Sequence, residues 1–376
     1  MVRILASEAV IVEDVSTPTA APRRATLASR ALRAAELVTT PLLPADYLDL
    51  ISPLRAGADL RGRIVDLRRE TADAVTLVIR PGRGWQGHVP GQYIRIGVDV
   101  DGVRQWRAYS LTCPASAPDA LISVTVKAIP DGKVSNHLVR RAQPGTMIML
   151  DQAKGDFVLP DTRPERVLFL TAGSGITPVM GMLRNHLDEL ADVVVLHSAP
   201  TAADVVFGAE LRELAAQGRI TLIEQHTDAD GLLDLAELAS RVPDWADRHT
   251  WACGPTGMLD AAEEQWSAAG IADRLHTERF RPTVVAAGEG GTVAFAQQGH
   301  VVEADGATPI LDAGEEAGVL MPSGCRMGIC FGCVVPLRDG AVRDLRNGEL
   351  TTATPETPVP IQTCVSAAAG PCEIEL

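Results

Sequence analysis

The chain has 376 residues, too many for one hydrophobic core and enough for about two to four domains. Apolar residues at 46% and charged residues at 22% are ordinary globular values, which excludes global disorder, and 4% aromatics require mostly aliphatic cores. A net charge of −14 excludes broad nucleic-acid binding, and no run of about 18 apolar residues offers a membrane span.

Residues 1–52 read as an extension. They start apolar, but Glu8, Glu13 and Asp14 interrupt any signal-peptide core. Pro22 is placed to open a helix to about Val38, with Leu27, Ala31, Ala34 and Val38 on one face. Its first reading is a strap on the next domain; its second is a basic helix in peripheral contact with a membrane. Residues 53–160 carry short alternating runs (RIVDL, AVTLVIR, QYIRIGV, LISVTVKAI, MIMLD) between Gly and Pro turns, the pattern of an antiparallel β-barrel. Residues 164–282 alternate apolar strands (RVLFLTA, DVVVLHSA, RITLIEQ, HTWACG) with helical stretches, which predicts a parallel α/β domain. Residues 283–290 read as a linker. Residues 291–376 predict a small α+β domain with a hairpin (GTVAFAQQGHVVEAD), one helix from about Pro309 and a cysteine-rich loop. This last piece holds 11 acidic and 4 basic residues, a charge suited to steering a basic partner as well as to solubility.

Seven cysteines, four of them patterned, suit a metal site in a reducing cytosol rather than a disulfide framework. Cys325, Cys330 and Cys333 follow the spacing C-x4-C-x2-C, with Cys364 thirty-one residues further on. That is the plant-type 2Fe–2S arrangement: three thiolates from one loop and a fourth from a distant segment hold two tetrahedral irons. Gly324, Gly328 and Gly332 interleave the ligands and bring backbone N–H groups toward the sulfurs. A structural zinc would need paired C-x2-C units or a His partner, and neither is present. Cys372 reads as an ordinary buried thiol.

Two further blocks carry chemistry. Arg107-Ala108-Tyr109-Ser110 ends a barrel strand, and Lys127 leads into a turn with Gly132, Val134, Ser135 and Asn136 opening a helix. An Arg fork and free N–H groups at a helix start are a seat for phosphate. Thr171-Ala-Gly173-Ser174-Gly175-Ile-Thr177-Pro178 is a strand, a glycine turn and a helix, the geometry that lets backbone approach a pyrophosphate.

These blocks, in this order, resemble the ferredoxin–NADP reductase superfamily with a C-terminal ferredoxin domain, over about residues 53–376. The resemblance implies a multidomain chain: an antiparallel flavin β-barrel, a parallel α/β nucleotide domain and an α+β β-grasp ferredoxin domain. It places Arg107 and Ala108 at the flavin phosphate, Tyr109 on the isoalloxazine and Ser110 near N5. Lys127, Gly132, Val134, Ser135 and Asn136 would seat the flavin pyrophosphate. Thr171, Gly173, Ser174, Gly175 and Thr177 would hold the coenzyme, with Cys253, Gly254 and Pro255 beside the nicotinamide. Ser110, Cys253 and Glu278 are the implied catalytic group, Glu278 as proton or electrostatic support. FAD is the implied flavin, with FMN, used by the branch resembling phthalate dioxygenase reductase, as alternative. NADPH is the favoured coenzyme and NADH the alternative. The usual phosphate-gripping Arg is missing from Gln225-His226-Thr227-Asp228, which leaves His226, Ser198 or Arg219 as substitutes.

The implied enzyme is an NAD(P)H-dependent, ferredoxin-reductase-type oxidoreductase. It takes a hydride and releases single electrons through the cluster to an oxygen-activating acceptor protein. Thr39–Tyr47 and the loop Met321–Cys330 are similar to actinobacterial reductases serving membrane fatty-acyl-CoA desaturases, which implies a cytoplasmic chain working at the inner membrane face. The alternatives are a hydroxylase, Rieske oxygenase or cytochrome P-450 partner, or a non-catalytic redox sensor.

Overall fold

Six strands build the first sheet: β1 (Arg61–Arg69), β2 (Ala74–Pro81), β3 (Tyr93–Val100), β4 (Val103–Ser110), β5 (Ile122–Lys127) and β6 (Met147–Leu150), in the order β4-β3-β6-β1-β2-β5. Its ladders β1–β2, β1–β6, β2–β5, β3–β4 and β3–β6 are all antiparallel. The ends meet where Leu111 bridges Val124 and the Thr112 N–H donates to Ser123 O at 2.8 Å, which closes the barrel. Its core is aliphatic, with Ile64, Leu77, Ile79, Ile94, Ile96 and Val124 fully buried. Helix α1 (Lys133–Arg140) buries Val134, Leu138 and Val139 against it. This computed structural model describes residues 48–49, 51–55, 59–100, 102–116, 120–130, 132–280, 287–324, 326–328 and 331–376. The helix expected from Pro22 and the segment Thr39–Tyr47 lie outside them. The barrel lies in the compact unit Leu54–Leu376.

The second sheet is parallel: β7 (Arg166–Ala172), β8 (Asp192–Ala199), β9 (Thr221–His226), β10 (His249–Cys253) and β11 (Leu275–Glu278), in the order β11-β10-β7-β8-β9. The chain runs outward from β7 to β9 and then reverses to β10 on the other side. Loops leaving β7 and β10 therefore diverge and open a crevice at their C-terminal ends. Helices α2 (Ile176–His186), α3 (Gly208–Ala216) and α4 (Thr256–Ala268) accompany it. β11, with the sequence LHTE, carries no apolar alternation and was not legible as a strand.

Barrel and α/β domain are pinned together. A Cβ on Gly181 of α2 would lie 2.4 Å from Leu111 O, so only glycine allows this approach. Beside it Arg184 Nη1 donates to Thr112 O (2.7 Å) and Asn185 Nδ2 to Cys113 O (3.1 Å), while Ala115 N–H donates to Asn185 Oδ1 (2.7 Å). Trp251 Nε1 donates to Val158 O at 3.2 Å.

The third sheet is mixed: β12 (Gly291–Phe295), β13 (His300–Ala304), β14 (Val334–Asp344), β15 (Leu350–Ala353), β16 (Val359–Gln362) and β17 (Ser366–Ile374). Its path is β13-β12-β17-β14-β15 with β16 on β14, and β12 runs parallel to β17. Helix α5 (Ile310–Glu316) buries Ile310 and Leu311 in its core, the β-grasp arrangement. Residues 283–286 of the expected linker lie outside the described residues. Its last part is bonded into this domain, Gly288 N–H to Gly306 O and Gly290 N–H to Ala368 O.

Candidate active site

One cavity of about 760 Å³ is walled by all three sheets' domains, a volume suited to a cofactor. The barrel supplies Arg107, Ala108, Tyr109, Ser110 and Lys127 from the ends of β4 and β5, with Gly132, Val134 and Ser135 at the start of α1. The α/β domain supplies Ser174, Thr177, Glu278 and Phe280. The ferredoxin side supplies Asp312 and Glu315 of α5 with Arg326, Met327, Leu345 and Cys364.

The barrel wall fits a phosphorylated flavin. Burial, and then the positive Arg326, pull the Arg107 pKa down to about 10, so a charged guanidinium sits where an anion would relieve it. Ser110 Oγ is buried with no hydrogen-bond partner among the described residues, an arrangement costing about 1–3 kcal/mol unless a ligand completes it. Tyr109 is half-buried, and burial of its hydroxyl pushes the phenol pKa up against the opposing charge of Arg107. Lys127 Nζ donates to Asp73 Oδ1 at 2.7 Å, which leaves it partly neutralised. Gly132, rather than Ser135, is the N-cap of α1. Ser135 Oγ donates instead to Gly132 O and accepts from Ile129 N–H, fixing the turn. Asn136 Nδ2 donates to Ile129 O (2.8 Å) and Gly132 O (2.9 Å); it clamps the same turn and is not among the cavity-lining residues.

On the nucleotide side the two glycines of the loop act differently. Gly173 has φ +55°, a left-handed turn residue. A Cβ on Gly175 would stand 2.0 Å from Cys253 O, so Gly175 lets the loops after β7 and β10 touch. Thr171 Oγ1 is buried against His197 Nδ1 at 2.8 Å, and Thr177 Oγ1 donates to Ser174 O at 2.9 Å. Glu278 pairs with Cys253 across β10 and β11. Its Oε2 is buried with no partner among the described residues, and burial raises the carboxyl pKa to about 8. Cys253 is fully buried beside Trp251, and burial pushes its thiol pKa up; neither it nor Gly254 or Pro255 lines the cavity.

The segment expected to bear on coenzyme choice, residues 225–228, lies at the end of β9. Arg219 precedes that strand, at its other end, and pairs with Asp188, so it is removed from that position. His226 Nε2 lies 3.9 Å from Glu224 Oε1. Arg241, with no motif to mark it, donates from Nη1 to the Gln225 side chain.

The cysteine loop is anchored from both flanks. Thr363 donates to Cys333 O from its N–H (3.3 Å) and its Oγ1 (2.9 Å), which brings Cys364 alongside Cys333; both are buried. Gly328, at φ +75°, offers its carbonyl to Arg346 Nη1 (3.0 Å) and Gln362 Nε2 (2.9 Å). Cys325 and Cys330 lie outside the described residues. Two buried thiols drawn together by a backbone tie suit a thiolate-held iron cluster. Sequence reasoning missed Phe280, Asp312, Glu315 and Arg326 as cavity residues. Only Arg326, next in sequence to the expected ligand Cys325, carried a signal.

Family models match in the same order: the oxidoreductase FAD-binding domain at residues 72–159, the oxidoreductase NAD-binding domain at 169–264, and the 2Fe-2S iron-sulfur cluster binding domain at 293–369. The chain is 55% identical over 346 residues to an NADPH oxidoreductase of Mycobacterium tuberculosis, covering 90% of each chain. It is 34% identical over 275 residues to the ferredoxin reductase component of 3-ketosteroid-9-alpha-monooxygenase of the same organism, covering 68% of this chain and 76% of the relative. Phthalate dioxygenase reductase shares the fold, with a TM-score of 0.59 at 20% identity over 84% of this chain and 97% of that one. The chain therefore belongs to the ferredoxin–NADP reductase superfamily, in the branch with a C-terminal 2Fe–2S domain, as an NAD(P)H-dependent oxidoreductase using FAD and that cluster.

Proposed function

We propose that this chain oxidises NADPH and delivers electrons singly to a separate oxygen-activating protein, a membrane fatty-acyl-CoA desaturase. The observation carrying the relay is the shared cavity: Tyr109 and Ser110 line one wall and Cys364 another. Together the coenzyme, FAD and the cluster supply the conversion of an electron pair into two single electrons. The residues do the rest. Arg107 binds the flavin phosphate, and the turn fixed by Ser135 and Asn136 seats the pyrophosphate. Tyr109 covers the flat ring, and Ser110 gives a buried hydroxyl to its polar edge. Gly173 and Gly175 shape the coenzyme loop, while Ser174 and Thr177 face the cavity. Glu278 holds a proton near neutral pH at the crevice where flavin and nicotinamide meet. Cys333 and Cys364, with Cys325 and Cys330, are the cluster ligands. The domain division at residues 53–160, 164–282 and 291–376 accords with this division of labour.

NADPH is favoured because the 55% identical relative bears that name, and His226 and Arg241 are the candidate contacts for its extra phosphate. Oxygenase service is supported by relatives named as reductase subunits of glycine betaine monooxygenase and 3-ketosteroid-9-alpha-monooxygenase. The desaturase rests on the similarity of Thr39–Tyr47 and Met321–Cys330 to desaturase reductases. Anaerobic NADPH titration should bleach the flavin and then the cluster absorption. Membranes holding a desaturase should then form product only when the chain and NADPH are both added. Product with a P-450 or Rieske partner but not with the desaturase would reassign the acceptor.

A further inference from the structure

The cysteine loop has an inner and an outer side. Met327 and Cys364 face the flavin cavity. Phe331, between Cys330 and Cys333 in sequence, is 67% exposed, and its φ of +55° holds a bulky residue in the left-handed region. Val334, 38% exposed, donates its N–H to Phe331 O at 3.3 Å, so the two are surface neighbours. Electrons that enter the loop from the cavity thus have an apolar, solvent-facing exit on the same short segment. Strained backbone that displays a large side chain is a mark of functional surfaces, and exposed aromatics anchor protein contacts.

The domain that carries this exit is predominantly negative. Residues 291–376 contain no lysine and four arginines. Each arginine is ion-paired: Arg326 with Asp312 and Glu315, Arg338 with Glu373, Arg343 with Glu289, Arg346 with Asp344. Seven of the domain's 11 carboxylates stand outside these pairs. The cations are committed within the chain, and the field offered to a partner is negative.

We propose that Phe331, with Val334 beside it, is the apolar centre of the face on which the electron acceptor docks, and that the acceptor meets it with an apolar recess rimmed by Lys and Arg. This rests on the reading that electrons leave for a separate protein. Each encounter passes one electron, so one NADPH reduces two one-electron acceptors and yields NADP+ and one proton.

The test uses the full-length holoprotein with cytochrome c, a basic one-electron protein acceptor, and ferricyanide, a small anion. Phe331→Ala should lower kcat/KM for cytochrome c about tenfold or more, with recovery in Phe331→Tyr. Ferricyanide turnover and the cluster's EPR spectrum should stay as in the wild type, and added salt should slow cytochrome c reduction. Equal cytochrome c rates in wild type and Phe331→Ala would overturn the docking face alone. A loss of cytochrome c reduction accompanied by an altered EPR spectrum would also overturn it, because Phe331 would then only support the cluster. A wild type that reduces ferricyanide but not cytochrome c would overturn both the docking face and the reading beneath it.

Discussion

The two boundaries of the flavin barrel are built differently. Toward the α/β domain it is locked: Gly181 lies against the Leu111 carbonyl, and Arg184, Asn185 and Trp251 bond directly to barrel backbone. Toward the ferredoxin domain it faces charged groups, Arg107 opposite Arg326, Asp312 and Glu315, across a cavity. The chemistry at each boundary explains the contrast. Hydride transfer requires two rings held within a narrow range of distance and angle. A single electron can cross a gap, so that boundary needs closeness and charge matching rather than interlocked backbone.

That contrast can be broken in graded steps. Cys364→Ala removes a proposed ligand on the electron side; it should abolish the cluster's visible absorption and electron delivery to a protein acceptor, while NADPH–ferricyanide turnover at the flavin persists. Gly181→Val attacks the hydride side. The added side chain collides with Leu111 O, which should cost about 1–3 kcal/mol in denaturant unfolding and slow stopped-flow flavin reduction by up to about a hundredfold. Ser110→Ala deletes a buried hydroxyl that has no hydrogen-bond partner among the described residues; stability should hold, while flavin reduction slows about tenfold, the worth of one good hydrogen bond.

Glu278 sharpens the same side through pH. Its folded pKa of about 8 exceeds the ordinary value of 4.5. Between these values the folded chain holds a proton that the unfolded chain has lost. The contribution therefore favours folding at low pH and is lost as pH rises through about 8. The rate of flavin reduction should bend near that pH, and Glu278→Gln should remove the bend; an unchanged bend would assign it to another group. The smallest effect belongs to Arg338→Ala, on an exposed pair with Glu373. It should change stability by less than about 1 kcal/mol, which calibrates the rest.

Much of this was legible in the chain because it is local. Strand alternation marks the barrel, the glycine turn after β7 marks the nucleotide crevice, and cysteine spacing marks the cluster. What escaped is set by distant packing. β11 is a short polar strand that exists because β10 pairs with it. Gly175 reads as a coenzyme glycine, yet its closest constraint is the Cys253 carbonyl some eighty residues away in sequence. Cys253 reads as a reactive group, but burial with Trp251 and Phe169 places it in a core. Asp312, Glu315 and Arg326 look like surface charges until the fold turns them toward the flavin wall.

The contact between Gly175 and the Cys253 carbonyl bears on attempts to re-engineer coenzyme preference. Two loops from separate strands share one atom-sized gap, so a change at either tip is transmitted to the other. Libraries that vary residues 173–175 would mostly sample misaligned crevices. Variation at His226 and Arg241 would act through side chains at the far end of the sheet and leave that joint intact.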